Sequence, residues 1–216
     1  MPEKTKVFGR TVDEHVRSTQ QLRTLAPDPS HAISVKHIDH VDALAARFIA
    51  ASSLVIVATS SPDGRLDLTP RGDPAGFIHV LDPKLLALPD RPGNLRMDTF
   101  TNLFSNPEIG LIFIIPGHRD TLRVAGRAAV VRDEALSEEL SVNGRPGGLT
   151  VLIEVEHVMC HCPKAFVRGG VWEKEKWPDT SNVPTLAEMM VTHGELSRTV
   201  ERMQDIIDDD GKNRLY

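Results

Sequence analysis

The stretch from Ser53 to Thr69 constrains the fold of this chain more than any other. Ser53–Ser60 reads Ser-Leu-Val-Ile-Val-Ala-Thr-Ser. Its β-branched side chains are stiff at χ1 and pack well on a pleated strand. Ser61-Pro62-Asp63-Gly64 follows, where proline presets φ and glycine accepts a positive φ, so the chain turns. Arg65–Thr69 then alternates, Leu66 and Leu68 against Arg65 and Asp67, as the returning strand of a hairpin does. An isolated hairpin is marginal in water, so further strands are required.

Further strands are expected at Phe77–Leu81 and Lys84–Leu88, joined through Asp82-Pro83, and at Glu108–Ile115, Thr121–Arg132 and Leu149–Met159. Helical signals lie between and around them. Asp39 is a plausible N-cap for a helix carrying Val41, Leu44, Ala45, Phe48 and Ile49. Met97–Phe104 reads as a helix closed by Asn106-Pro107, Asp133–Leu140 as a short one, and Pro163–Arg168 as a helical turn. Thr11–Leu25 has amphipathic spacing and is ended by Pro27 and Pro29. Thr185–Ile207 reads as one long helix, with Thr185 and Glu188 forming a capping box.

The centre of the chain is thus β and its ends helical. Six or seven short strands with flanking helices describe a mainly β (α+β) fold, a small barrel, better than a doubly wound parallel sheet. The expected organisation is a single domain over 1–216, with a helical N-terminal extension at 1–50, a barrel core at 51–175 and a C-terminal helix at 184–210. At 216 residues, 40% of them hydrophobic, the chain can bury one core without disulfide or metal staples.

A net charge of −5 argues against a nucleic-acid surface. The longest apolar stretch, Ile109–Pro116, has strand length and falls short of the roughly 18 residues of a membrane helix, so no membrane partner is expected. The opening MPEKTKVFGR has no apolar core of a signal peptide. With two cysteines, Cys160 and Cys162, too close for a framework disulfide, a reducing cytoplasmic location is expected.

The most informative loop is Asp90-Arg91-Pro92-Gly93-Asn94-Leu95-Arg96. It leaves a strand and enters a helix, and a helix N-terminus presents free N–H groups and partial positive charge to an anion. Gly93 lets backbone approach a ligand. Arg91 and Arg96 offer forked donors matched to phosphate, and Asn94 offers its amide. Arg71 closes the hairpin in Thr69-Pro70-Arg71-Gly72. The same residues also read as solvated loop arginines, with Gly93 serving only the turn.

The order and spacing of these pieces resemble the pyridoxamine 5'-phosphate oxidase-like FMN-binding family. The nearest likeness is the stand-alone bacterial branch with a PDRxGNxRxD loop. The matching segments are Val57–Gly64, Thr69–Asp73, Gly76-Phe77, Pro89–Asp98, Asn102–Pro107, Gly110–Phe113, Pro116-Gly117, Thr121–Ala128, Cys162–Ala165 and Val171-Trp172. The likeness spans roughly residues 35–175.

The resemblance implies a six-stranded split β-barrel that forms a homodimer, with FMN as cofactor at the subunit interface. It implies that the phosphate sits on Arg91, Asn94 and Arg96, with help from Arg71. The isoalloxazine edge would run along Thr69, Pro70 and Arg71 and along Leu88, Pro89 and Asp90. Arg123 would reach FMN across the interface, and Trp172 would pack near the ring. True pyridoxamine phosphate oxidases carry a Ser-Arg-Lys cluster before this helix and a C-terminal Arg-x-x-x-Trp-type segment. Here those places hold Gly93–Arg96 and an acidic helix, so vitamin B6 phosphate is not the expected substrate.

The resulting expectation is an FMN-dependent oxidoreductase acting on a small molecule, with no catalytic side chain assigned. The alternative is a non-enzymatic module that stores, senses or carries a flavin, or haem. A cofactor-free protein-contact role is a third reading. Cys160-His161-Cys162 with His157 invites a metal, but thiolates two residues apart do not readily close a tetrahedral site, so none is expected. His31, His37 and His40 read as loop residues, and Asp208–Asp210 as a solvated helix end. No G-x-S-x-G is present to suggest a hydrolase.

Overall fold

Phe8 and Gly9, with φ of 49° and 83°, turn the chain between β1 (Thr5–Val7) and β2 (Arg10–Val12). The computed structural model describes residues 4–216 in two compact units, divided between Lys36 and His37. The first holds this hairpin, α1 (Thr19–Leu25) and α2 (His31–Ser34), and none of its described residues is buried. The helix expected from Thr11 begins only at Thr19. Pairing of β1 with β2 takes Thr11 and Val12, and Ser18 supplies the cap by accepting the Gln21 N–H at 3.1 Å.

The second unit carries the sheet. Its elements are β3 (His37–Ile38), α3 (Ala43–Ala51), β4 (Leu54–Ser60), β5 (Leu66–Gly72), β6 (His79–Asp82) and β7 (Leu85–Pro89). Then come α4 (Asp98–Ser105), β8 (Glu108–Ile114), β9 (Thr121–Val131), α5 (Glu134–Glu139) and β10 (Thr150–His161). The chain closes with α6 (Lys164–Gly169), α7 (Leu186–His193) and α8 (Val200–Asn213). Every strand pairing is antiparallel, in the order β5-β4-β8-β9-β10-β7-β6, with β3 added on β10. The fold is mainly β with flanking helices, and β5 and β6 are the two unpaired ends of the sheet path.

One sheet face makes the core. Val55 and Val57, Ile109, Leu111 and Phe113, Leu122 and Val124, and Val151, Ile153 and Val155 are all buried. They recur at every second position, as the strand pleat requires. A bulge in β10 between Val155 and His157 shifts this phase, so Val158 again points inward. Gly126 lies opposite the bulge, where a Cβ would stand 1.9 Å from the Glu154 carbonyl oxygen. α3 closes the core with Ala45 and Ile49.

In the second unit, two further helix boundaries differ from expectation. α3 is capped by Asp42, whose carboxylate accepts the Ala45 N–H at 2.8 Å, and not by Asp39. Asp39 is engaged by His40 and Lys84, which lower its carboxyl pKa to about 2. The long helix expected from Thr185 to Ile207 is two helices. The Thr185–Glu188 capping box forms as expected. The first helix ends at Gly194, where a Cβ would meet the Met190 carbonyl at 2.9 Å, and Glu195 follows with φ 48°. Thr199 then caps α8.

α4 is fixed by two asparagines. Asn102 Nδ2 donates to Thr59 Oγ1 at 3.0 Å in the core, and Asn106 Nδ2 to Ser60 Oγ at 2.7 Å. Both acceptors lie at the end of β4. This anchoring directs the N-terminus of α4 toward the Asp90–Arg96 loop, with Phe100 and Leu103 buried beneath. Among the described residues, no helix is long and apolar enough to cross a membrane.

Candidate functional site

The ends of β5 and β7, the loop after β7 and the first turn of α4 enclose a cleft of about 390 Å³. Thr69, Pro70, Arg71, Pro89, Asp90, Arg91 and Asn94 all line it. Phe77 and Phe100 form its apolar base, and each is more than nine-tenths buried. Beside it lies a smaller cavity of about 270 Å³ that shares Thr69, Pro70, Arg71 and Asn94 and adds Arg96. Leu88, three per cent exposed, points into the core and meets the cleft only through its neighbour Pro89.

The loop backbone is unusual. Leu95 and Met97 both take the left-handed region, with φ of 60° and 59°. Between them the Arg96 N–H donates to the Asn94 side chain at 3.0 Å. Met97 is the N-cap of α4 and supplies no side-chain bond to its first turn. Among the described residues no side chain caps the first-turn N–H groups of α4, an arrangement suited to an anion.

Each arginine of the cleft has a carboxylate partner. Arg71 Nη1 meets Asp90 Oδ1 at 3.2 Å, and its guanidinium lies 5.8 Å from the centre of the Phe100 ring. Arg91 Nε meets Asp73 Oδ2 at 2.6 Å, and its Nη2 donates to the Leu140 carbonyl at 2.7 Å. Arg96 Nε meets Asp98 Oδ2 at 2.6 Å in the open. Arg91 Nη1 is buried with no hydrogen-bond partner among the described residues. Asp90 holds its proton more tightly than an ordinary aspartate, because burial raises its pKa more than Arg71 lowers it.

Gly147 explains how the loop stays in place. A Cβ there would stand 2.5 Å from the Asp90 carbonyl oxygen and 3.3 Å from Arg91 Nη1. Only glycine lets the segment before β10 lie so close to the loop.

Two expected residues lie elsewhere. Arg123 lines an apolar depression of about 590 Å³ on the outer face of the sheet, with Ile56, Leu68, Ile112, Met159 and Phe166. Trp172 stacks on Phe166 at 5.8 Å between ring centres, and its indole N–H donates to the His118 carbonyl at 2.8 Å. Arg123 and Trp172 therefore gather at Phe166, away from the cleft of their own chain. Cys160 and Cys162 are free and exposed.

Residues for which no site role was expected lie in or beside the cleft. Asp73 and Asp98 pair with the arginines, Phe77 and Phe100 floor it, and Tyr216 reaches Asp73 from beyond α8 at 2.6 Å. Asp73 stands in the Thr69–Asp73 motif and carried a signal. Tyr216, 143 residues away, carried none.

Fold and cleft together define an antiparallel β protein with a cleft built around a strand-to-helix loop. The family model for pyridoxamine 5'-phosphate oxidase matches residues 41–158, more than half of the chain. The chain belongs to that family, whose split barrel the sheet described above represents. No curated protein matches it in sequence. Among solved structures, HupZ from Group A Streptococcus is similar at 18% identity and a TM-score of 0.47, over 56% of this chain and 99% of its own. General stress protein 26 from Bacillus anthracis is 13% identical with a TM-score of 0.43, over 54% and 90%. A pyridoxamine 5'-phosphate oxidase-related, FMN-binding protein from Nostoc punctiforme is 15% identical with a TM-score of 0.37, over 52% and 77%.

Proposed function

We propose that this protein binds FMN in the Arg71–Arg96 cleft as a homodimer and passes two electrons between the flavin and a small molecule. The observation that carries this reading is the meeting of Arg71, Asn94 and Arg96 with the uncapped first turn of α4. The residues fit the group. The cleft's volume of about 390 Å³ lies in the range of small-ligand sites, roughly 300–1,000 Å³. A buried guanidinium N–H of Arg91 has no partner among the described residues. Phe77, Phe100 and Pro70 offer apolar surface beside these donors.

Arg96, Asn94 and the α4 N–H groups would hold the phosphate, with Arg91 Nη1 behind them. Arg71 would place a cation beside the ring, where it favours a negatively charged reduced state. Thr69, Pro70, Pro89 and Asp90 would border the ring with backbone groups. When bound, the flavin supplies the electron-accepting chemistry itself, and the protein binds, orients and tunes it. The dimer is supported by the outer sheet face, where Leu68 is 68% and Ile112 40% exposed around Arg123. Such apolar patches suit association. The free thiols of Cys160 and Cys162 suit a reducing, cytoplasmic setting.

The test is to titrate FMN into the purified protein and follow flavin absorbance, with the mass measured by light scattering. Saturable binding at one FMN per chain in a dimer is expected, weakened about 10-fold by Arg96→Ala, since a factor of ten corresponds to about 1.4 kcal/mol. Absence of binding, or a monomer at micromolar concentration, sinks the reading. Bound flavin that no nicotinamide cofactor or oxygen turns over would leave a carrier and not an enzyme.

A further inference from the structure

Asp73 lies behind the cleft as the partner of Arg91, with its side chain one per cent exposed. It follows β5 directly, and its N–H donates to the Ser53 carbonyl at 3.2 Å. Its two oxygens serve different segments. Oδ2 accepts from Arg91 Nε at 2.6 Å, and Oδ1 accepts from the phenol of Tyr216 at 2.6 Å. A buried carboxylate is tolerable only when both oxygens find donors, and the phenol is the second donor here.

Tyr216 makes another bond, since its carbonyl accepts from Arg145 Nη1 at 2.8 Å. Arg145 lies in the turn bridged by Val142 and Arg145, and Gly147 of the same segment presses on the Asp90 carbonyl. Leu140, just before this turn, accepts from Arg91 Nη2. Tyr216 thus stands where the end of β5, the cleft loop and the 140–148 segment converge. The bond to Asp73 also pushes the ionisation of the phenol up from its ordinary value.

We infer that Tyr216 is a positioning residue for the cleft. By completing Asp73 and bonding Arg145, it fixes the Arg91 guanidinium and with it the Asp90–Arg96 loop. The loop-positioning part stands without the proposed function. Only its effect on ligand affinity rests on the reading that FMN binds there. The tail beyond α8 is then part of the site's construction, and detaching it loosens the loop without disturbing the sheet.

Tyr216→Phe in the full chain keeps the ring and removes only the hydroxyl, so it tests the bond. Amide hydrogen exchange is compared between variant and wild type over residues 90–97, with residues 121–131 and 150–161 as internal controls. FMN is titrated into both proteins. The expected result is exchange about 10-fold faster in the loop, unchanged exchange in the two long strands, and FMN affinity about 10-fold weaker. Unchanged loop exchange overturns the inference. So does an equal acceleration in loop and strands, which marks a general stability contribution. In a wild type that binds FMN, unchanged variant affinity overturns it as well. A wild type that binds no FMN refutes the proposed function, and the exchange comparison then decides this inference alone.

The phenol gives a second signal, because Tyr216 is the only tyrosine in the sequence. Its absorbance titration in the wild type is expected above the ordinary tyrosine midpoint of about 10. An ordinary midpoint means the bond to Asp73 is absent in solution, and the inference fails.

Discussion

The inner and outer halves of the Asp90–Arg96 loop each carry one arginine, and the fold puts them to different uses. Arg91 has 13% of its side chain exposed and pairs with Asp73, which has one per cent. Its Nε and Nη2 are both engaged inside the protein. Arg96 is 71% exposed, and its partner Asp98 43%. An exposed pair of this kind contributes about 0–1 kcal/mol and exchanges readily for another anion. Removing half of a buried pair leaves an uncompensated charge and costs about 3–5 kcal/mol. The inner arginine therefore builds the loop, and the outer one is free to meet a ligand.

The largest test of this contrast is Arg91→Ala. The unfolding free energy from urea titration should fall by about 3 kcal/mol or more. A loss below about 1 kcal/mol would erase the distinction between the halves. Arg96→Ala should leave stability within about 0.5 kcal/mol while weakening FMN binding as stated above. Equal effects of the two variants on stability would break the comparison from the other side.

A smaller effect concerns pH. Burial, outweighing the Arg71 cation, raises the Asp90 pKa in the folded chain. The folded state then binds that proton more tightly than the unfolded state. Its contribution is fully present below the unfolded value of about 3.9 and is lost as pH rises through the folded value. Asp90→Asn lacks this titration. Its stability relative to wild type should rise with pH across that window and level off above it, by urea unfolding at stepped pH. A pH-independent difference would place Asp90 outside the buried half of the loop.

The local chemistry of this site was legible in the sequence, and the long-range pairing was not. Asp90–Arg96 announced itself through a proline, a glycine and two arginines placed before a helix, and the cleft lies there. The hairpin of β4 and β5 followed from Pro62 and Gly64. What escaped was set by distant partners. Arg91 pairs with Asp73 and Leu140, which lie 18 and 49 positions away. No periodicity or motif encodes those distances. The cap of α3 moved from Asp39 to Asp42 because Lys84, 45 positions on, engages Asp39. The break between α7 and α8 had a local signal in Gly194, outweighed by continuous helical spacing on both sides.

Pro70 has one more consequence. β5 is an end strand of the sheet path, and Pro70 sits in it opposite Ile56. Proline has no N–H and is tolerated in sheets where that side faces solvent. The outer margin of β5 therefore has a missing rung. Another polypeptide laid alongside it could not zip up continuously past this point. Beside the mouth of the cleft, where an open strand end would invite runaway stacking of one chain on the next, the sequence has placed a stop.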